Sequence, residues 1–116
     1  MFQVSYYAAD IRNVEEISKS VDYCIAKYSK LPDIIINNAA GNFISPTERL
    51  STNAFKTIID IVLLGTFNVT SIIGKRLIKE KKEASFLSIL ASYIFYGSGY
   101  VVPSACGKSG VAALTR

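Results

Sequence analysis

The sequence predicts an α/β fold, a piece of a doubly wound parallel sheet with its elements in the order β-α-β-α-β-α. Segments with the spacing of amphipathic helices alternate along the chain with short segments rich in strand-forming residues. One of the latter, Asp33–Asn37, is continuously apolar through three isoleucines, as is typical of a strand covered by helices on both faces. Such alternation predicts a parallel sheet with helices packed on both sides.

The first elements are predicted from residues 2–37. Phe2–Tyr7 is rich in β-forming residues and predicts a strand that ends before Asp10. From Asn13 onward, apolar residues recur every three or four positions, which predicts a helix capped by the Asn13 side chain. The recurring residues are Val14, Ile17, Val21, Cys24, Ile25 and Tyr28. Leu31-Pro32 separates this helix from the second strand, Asp33–Asn37.

The later elements follow a long loop over residues 38–51, and loops of that length are usually functional. A helix is predicted from Ser51 to about Lys79, and its apolar residues cover more than one face. We therefore expect it to be buried on two sides, as such helices often are by a partner subunit. Ser85–Leu90 predicts a third strand, and a second loop, Ala91–Pro103, leads into a final helix.

Composition excludes several classes of protein. The chain has 116 residues, which indicates one domain or part of one. Its net charge of +4 comes without an Arg-rich run, which argues against a nucleic-acid surface and favours a solvated basic surface or a site for an anionic cofactor. Cys24 and Cys106, with no His present, predict neither a disulfide framework nor a metal site. We expect no signal peptide, no transit peptide and no apolar segment long enough to span a membrane.

Ligands of open parallel sheets bind beyond the carboxyl ends of the strands, which directs attention to three places. They are Asp10, the segment Asn37–Phe43 and the segment Ala91–Lys108. The Asp10 carboxylate could accept a hydrogen bond from an amino group such as that of adenine, or it could be an ordinary loop or capping acid. The small residues in Asn37–Gly41 would let a ligand approach the backbone, although the same residues are also common in turns.

These segments resemble a known family. Asn37–Gly41 resembles the N-N-A-G element of short-chain dehydrogenase/reductases, and Asp10 is similar to the acid that contacts adenine in that family. Within the family, Asn38–Ser51 and Gly97–Lys108 resemble the mitochondrial-type 2,4-dienoyl-CoA reductases. The resemblance implies that residues 1–116 form the central part of one NAD(P)-binding Rossmann domain. The N-terminal Gly-rich βαβ unit and the C-terminal part of that domain would be missing from this chain.

The resemblance also implies site residues. Most of the family has Tyr-x-x-x-Lys where this chain has Ser104 and Lys108, one helical turn apart. The dienoyl-CoA reductases place their Tyr eleven residues earlier, which is Tyr93 here, and their substrate-binding Asn falls on Asn42. The implied catalytic set is Tyr93, Asn42, Lys108 and Ser104. The implied cofactor-binding set is Asp10, Asn38, Ala39, Gly41 and Lys108.

The implied function is NADPH-dependent reduction of 2,4-dienoyl-CoA to trans-3-enoyl-CoA in the β-oxidation of unsaturated fatty acids. Tyr93 and Asn42 would form an oxyanion hole for the thioester oxygen, Lys108 would hold the nicotinamide ribose, and Ser104 would steady the cofactor. The resemblance further implies a fatty acyl-CoA substrate, a homotetramer and a mitochondrial location. The preference for NADPH rests on resemblance alone, since the chain has no Gly-rich phosphate loop.

Each site residue also has an ordinary structural interpretation. Tyr93 could be a packing residue, Lys108 a surface lysine, and Ser104 a helix N-cap after Pro103. Two positions depart from the family pattern: Leu64 replaces a structural Asn, and Ala91 replaces a common Ser or Thr.

Two alternatives to this function are open. The first is a carbonyl reductase of the same superfamily, against which Ser104 in place of Tyr argues. The second is a non-catalytic truncated product that binds a full-length subunit. In the family's strand order, the strand at residues 2–7 has no neighbour within this chain, so we expect the isolated chain to be unstable or to associate.

Overall fold

The computed structural model describes residues 3–116, and its elements follow the predicted alternation except at the start. They are α1 (Val14–Tyr28), β1 (Ile34–Asn37), α2 (Thr52–Glu80), β2 (Ser85–Ser88), α3 (Tyr93–Tyr96) and α4 (Val102–Thr115). Within the described residues, β1 and β2 form a parallel pair, with Ile34 opposite Ser85 and Asn37 opposite Ser88. The predicted α/β class and the parallel pairing of these two strands are confirmed.

Helix α1 begins where the sequence predicts. The Asn13 side chain accepts hydrogen bonds from the backbone N–H groups of Glu15 and Glu16, at 3.0 and 3.3 Å. These bonds satisfy donors that the first turn of a helix cannot pair internally. The helix ends at Tyr28, where Ser29 adopts the left-handed conformation with φ 59° and donates its N–H to the carbonyl of Ile25.

Helix α2 is one continuous rod with an irregular turn inside it. Ser51 caps its start by accepting from the N–H of Ala54 at 3.1 Å. Residues Asp60–Leu64 form a π-helical turn between α-helical segments Thr52–Ile59 and Gly65–Glu80. The sequence analysis did not predict this turn. Such turns carry one extra residue and occur often at functional sites.

The predicted burial of α2 on two sides is confirmed, and both sides are covered from within the chain. Its carboxyl half packs on α1 and β1, and its amino half packs on α4. The first cluster contains Val21, Leu31, Ile35, Ile73 and Leu77, and the second contains Ile58, Val62 and Val111. Burying such side chains stabilises the fold by roughly 1.5–3 kcal/mol each.

The predicted first strand is wrong over the residues that the structure describes. Gln3–Tyr7 is not a strand, and Val4 and Tyr6 are almost fully exposed; Phe2 lies outside the described residues. A strand needs a partner for its backbone groups, and β1 is paired with β2. The segment lies along α1 instead, where Ser5 Oγ and Tyr28 OH are 2.7 Å apart.

The later boundaries also differ from the prediction. β2 ends at Ser88, two residues before the predicted end of the third strand. The predicted loop Ala91–Pro103 contains the single helical turn α3, and α4 begins within it, at Val102. Pro103 lies in the first turn of α4, where its missing N–H costs no helical hydrogen bond.

Helix Thr52–Glu80 is long and apolar enough to cross a membrane by length and composition. The expectation that no segment meets that criterion is therefore wrong. In the structure, this helix contacts α1 along its carboxyl half and α4 along its amino half. These contacts on two sides account for part of its apolar character, while Leu64, Phe67 and Ile78 are exposed.

One face of the parallel pair is bare, so helices cover these two strands on one face and not on both as predicted. This leads to a prediction for a polypeptide of these 116 residues. Ile34, Ile36 and Leu87 are each more than half exposed, and all are apolar. Bare apolar strands of this kind promote association between chains. We expect the isolated polypeptide to elute above 12.7 kDa in light-scattering chromatography, or to melt over a broad range. A sharp, cooperative unfolding transition from a monomer would contradict this.

Candidate functional site

Tyr93 and Ser104 come together at the carboxyl end of the sheet. Tyr93 opens α3, the helical turn that follows β2, and Ser104 lies in the first turn of α4. Gly97 ends α3 with φ 72°, a conformation that glycine adopts without strain, and it reverses the chain toward α4. The Tyr93 hydroxyl lies 2.6 Å from Ser104 Oγ, so the two share a hydrogen bond.

Ser104 is 2 % exposed and lies inside the helix, while the cap position belongs to Val101. The interpretation of Ser104 as an N-cap is therefore wrong. A buried hydroxyl needs a partner, and Tyr93 supplies it. The Tyr93–Ser104 hydrogen bond therefore joins α3, which follows β2, to α4, in addition to the backbone that connects them.

Lys108 lies one turn beyond Ser104 on the same helix and is buried. It is 6 % exposed, and its ammonium donates to the carbonyl oxygen of Ile89, just past the end of β2. Burial disfavours the charged form and lowers the pKa of Lys108 below its usual value. The interpretation of Lys108 as a surface lysine is wrong, because exposed lysines keep their charged group in water.

Glycines on α4 let it approach α2 closely at the π-helical turn. A Cβ atom at Gly107 would lie 2.9 Å from Cγ1 of Val62, and one at Gly110 would lie 2.8 Å from Cδ2 of Leu63. Val62 is fully buried. The backbone of α4 is thus held against α2 over the turn that carries Lys108, which fixes the height of the ammonium relative to β2.

A second part of the site is a cleft beside the end of β1. Its volume is about 80 Å³, and it is lined by Ile11, Ile36, Asn37, Asn38, Ala39, Gly65, Thr66 and Val69. Asn38 and Ala39 are exposed on its rim, which brings two of the predicted cofactor-binding residues together. Gly41 follows them and is half-buried, with space for a Cβ limited by Ile61 at 3.3 Å.

Asp10 precedes Ile11, which lines this cleft, but the Asp10 carboxylate already accepts hydrogen bonds from Arg12. Arg12 donates to both Asp10 oxygens, with a shortest N–O distance of 2.5 Å. Hydrogen bonds from the Arg12 side chain and backbone lower the pKa of Asp10 to about 2. A carboxylate held ionised in this way still has lone pairs that can accept from an amino group.

Asn42 lies on the long loop between β1 and α2 and is exposed. Its carbonyl oxygen accepts from the N–H of Phe43 at 2.9 Å, and the described residues form no hydrogen bond between Asn42 and Tyr93. Its loop is nevertheless tied to the loop after α3. Thr47 Oγ1 donates to the carbonyl of Gly99 at 3.1 Å, and the N–H of Ser45 donates to the carbonyl of Tyr100 at 3.0 Å.

The two departures from the family pattern lie in different surroundings. Leu64 ends the π-helical turn and is exposed. Ala91 is half-buried, and its carbonyl accepts from the N–H of Ile94 at 3.2 Å, which starts the turn of α3.

Sequence reasoning missed two polar residues of α2, Asn68 and Thr70, that bind the turn before α1 and the end of β1. Asn68 is 7 % exposed and donates from Nδ2 to the carbonyl of Ile11 at 3.2 Å. Asn37 donates from Nδ2 to Thr70 Oγ1 at 3.1 Å. Polar residues within an otherwise apolar helix face were the signal, because buried polar groups require partners.

Comparison with known proteins gives a consistent family assignment. The sequence matches the family model described as short chain dehydrogenase over residues 1–116. A probable 2,4-dienoyl-CoA reductase of Caenorhabditis elegans, named as (3E)-enoyl-CoA-producing, is 50% identical over 95% of this chain and 36% of its own length. A peroxisomal 2,4-dienoyl-CoA reductase of Saccharomyces cerevisiae, also named as (3E)-enoyl-CoA-producing, is 37% identical over 92% of this chain and 36% of its own length.

A solved structure is similar over most of the fold. The 1.99 Å crystal structure of a short chain dehydrogenase from Bacillus anthracis has a TM-score of 0.87 and 40% sequence identity, covering 91% of this chain and 42% of that one. The chain described here therefore spans about a third of the length of the curated relatives named above.

Proposed function

This chain belongs to the short-chain dehydrogenase family, and we propose that it forms the central part of one NAD(P)-binding Rossmann domain in a 2,4-dienoyl-CoA reductase. The proposed reaction is NADPH-dependent reduction of a 2,4-dienoyl-CoA to a trans-3-enoyl-CoA. The Tyr93–Ser104 hydrogen bond of 2.6 Å above a buried Lys108 carries this proposal. A tyrosine at that position supplies the phenol that most family members carry where this chain has Ser104.

The residues at the carboxyl end of the sheet fit part of a nicotinamide cofactor. Asn38 and Ala39 leave the backbone at the end of β1 accessible, and the cleft of about 80 Å³ beside them could hold a fragment of the cofactor, not the whole dinucleotide. The Lys108 ammonium suits the hydroxyls of a ribose. Asp10 would accept from the adenine amino group, although its carboxylate is already paired with Arg12.

The chemistry follows from where negative charge develops. A reduced nicotinamide, when bound, would supply a hydride to the far end of the conjugated dienoyl thioester, and negative charge would then develop on the thioester oxygen. Tyr93 and the Asn42 amide would donate hydrogen bonds to that oxygen, and donors fixed in advance stabilise such charge most effectively. A proton taken up from water by the carbon beside the thioester carbonyl would then leave one double bond, between the third and fourth carbons.

The buried Ser104 hydroxyl orients the Tyr93 hydroxyl. If Ser104 donates to the Tyr93 oxygen across the 2.6 Å contact, the Tyr93 proton is left to point toward a substrate. The Lys108 ammonium donates a hydrogen bond to the Ile89 carbonyl oxygen. This bond restricts its movement, so its charge is fixed near the end of β2. A fixed cation there favours the developing oxyanion.

The proposed partners and compartment extend the same resemblance. A fatty acyl-CoA is the proposed substrate, and a homotetramer is the proposed assembly. Leu64, Phe67 and Ile78 of α2 are exposed and apolar, which supports contact with another subunit. The proposed compartment is the mitochondrion. A relative named as peroxisomal makes the peroxisome the competing outcome of a cell-fractionation experiment.

The test is an assay of the full native polypeptide with NADPH and a 2,4-dienoyl-CoA. We expect cofactor oxidation together with a 3-enoyl-CoA product identified by chromatography against standards. Ketone substrates serve as the comparison, because a carbonyl reductase would turn them over instead. Turnover of ketones alone would contradict the proposal. Absence of turnover, with co-purification of an intact subunit, would favour a non-catalytic product.

A further inference from the structure

Asn68 lies on α2, next in sequence to the cleft-lining residue Val69, and holds the turn that precedes α1. Its Nδ2 donates to the carbonyl of Ile11 at 3.2 Å, across 57 positions of sequence. Asn68 is 7 % exposed, so this bond is shielded from water and from competing donors. The Asp10–Arg12 turn is thereby attached to a helix that is itself fixed on both of its sides.

The same turn is fitted to α2 by shape. A Cβ atom at Gly65 would lie 2.4 Å from Cδ1 and 2.6 Å from Cγ1 of Ile11, which is too close for any residue larger than glycine without a shift of Ile11. Gly65 and Asn68 are three residues apart and therefore share a helix face. Together they set how near Ile11 lies to the rim formed by Asn38 and Ala39.

Internal bonds maintain the shape of the turn but not its place. The N–H of Asn13 donates to the carbonyl of Asp10 at 2.9 Å, and the N–H of Arg12 donates to Asp10 Oδ1 at 2.9 Å. Helix α1 is joined to α2 separately, through Arg76, which binds Asp22 at 2.5 Å and Ser18 at 2.6 Å. The N–H of Asp10 also donates to Glu16 Oε2 of α1 at 2.7 Å, so the turn has a second attachment. Loss of the Asn68 bond would therefore loosen the turn from α2 beside the cleft, while its attachment to α1 and the packing of the two helices remain.

We propose that Asn68 is a positioning residue for cofactor binding, which acts by holding the Asp10–Arg12 turn over the cleft at the end of β1. This inference rests on the proposed function. Asn68 contacts the turn and not the cofactor, so its effect is on affinity and leaves the chemical step untouched. Its loss would raise the concentration of cofactor needed for half-saturation, with little change in turnover once the cofactor saturates.

The experiment replaces Asn68 with Leu, which has a similar volume and no donor, in the full native polypeptide. We expect the dissociation constant for NADPH, measured by fluorescence titration, and the cofactor KM to rise about tenfold. The kcat at saturating cofactor should stay within twofold of the unsubstituted protein. Asn53→Leu is the matched control, because Asn53 is an exposed residue near the start of the same helix. The affinity of this variant for NADPH should be unchanged.

Each other outcome overturns the proposal. Unchanged affinity in Asn68→Leu, or a fall in kcat without a rise in KM, would show that Asn68 does not position the turn. If Asn68→Leu fails to fold, the milder Asn68→Ser is measured in the same way, and failure of both to fold makes Asn68 a folding residue. If the unsubstituted protein itself binds no NADPH, the proposed function fails, and this inference fails with it.

Discussion

Replacement of Tyr93 by phenylalanine is expected to lower kcat with a 2,4-dienoyl-CoA by about 10²–10³-fold, the loss typical of one removed oxyanion donor. The substitution keeps the ring and removes the hydroxyl that lies 2.6 Å from Ser104 Oγ. It also leaves the buried Ser104 hydroxyl without that partner, which should lower the free energy of unfolding by about 1–3 kcal/mol. Steady-state kinetics and thermal melts measure the two effects separately.

Tyr96→Phe is the matched control for that substitution. Tyr96 lies in the same helical turn as Tyr93 and is 88 % exposed, so removing its hydroxyl should change neither turnover nor stability. Ser104→Ala should lower turnover less than Tyr93→Phe, because it removes the group that directs the phenol and leaves the phenol in place. The double variant should be no worse than Tyr93→Phe alone. Unchanged turnover in Tyr93→Phe would remove Tyr93 from the mechanism.

Local chemistry explains which elements the sequence could predict. Asn13 accepts backbone hydrogen bonds at the start of α1 as predicted, and Ser51 does the same where the long helix was predicted to start. Both were accessible to prediction because donor and acceptor are within three positions of each other. Strand β1 was predictable for a similar reason, since three consecutive isoleucines favour a strand, although only the face of Ile35 is covered within this chain.

Non-local requirements explain the errors. Residues 3–7 have the composition of a strand, but a strand forms only when a neighbour accepts its hydrogen bonds. The π-helical turn at Asp60–Leu64 inserts a residue into a helix whose apolar residues cover more than one face, so the change of phase leaves no break in the apolar pattern. The close approach that Gly107 allows beside this turn depends on tertiary packing.

The same distinction between local and non-local contacts applies to the candidate site. Ser104 and Lys108 are one helical turn apart, so their shared face follows from spacing. The assignment of Tyr93 to the site came only from the family resemblance. The 2.6 Å contact between its hydroxyl and Ser104 Oγ supports that assignment. Asn68 was missed because its partner, the carbonyl of Ile11, lies 57 positions away. A sequence shows that an apolar helix contains an amide side chain, but it does not show which distant backbone group that amide binds.

Replacement of Lys108 by methionine is expected to lower kcat/KM by about 10²-fold or more, because it removes the cation from a site shielded from water, where electrostatic effects are strongest. Methionine has a similar length and can fill the space among the packed residues of α4. Lys108→Arg should not restore activity, since a planar guanidinium differs in shape and hydration from an ammonium held against the Ile89 carbonyl.

The same substitution should stabilise the protein at neutral pH. Burial lowers the pKa of Lys108 in the folded state below its ordinary value of 10.5, so the unfolded chain binds this proton more tightly. The cost of burying the charge is therefore fully present below the folded pKa. It diminishes as the pH rises through that pKa toward 10.5. The gain in melting temperature of Lys108→Met should accordingly be largest near pH 7 and shrink under alkaline conditions.

Lys75→Met provides the control, because Lys75 is exposed on α2 and its loss removes a charge from water instead of from the interior. It should leave kcat/KM unchanged and produce no comparable gain in stability. A Lys108→Met variant that loses activity and melts at a lower temperature across the pH range would show that the Ile89 hydrogen bond outweighs the cost of burial. A gain in stability with a loss of activity would mean that this cation is kept at a cost to the fold, as expected for a group retained for its chemistry.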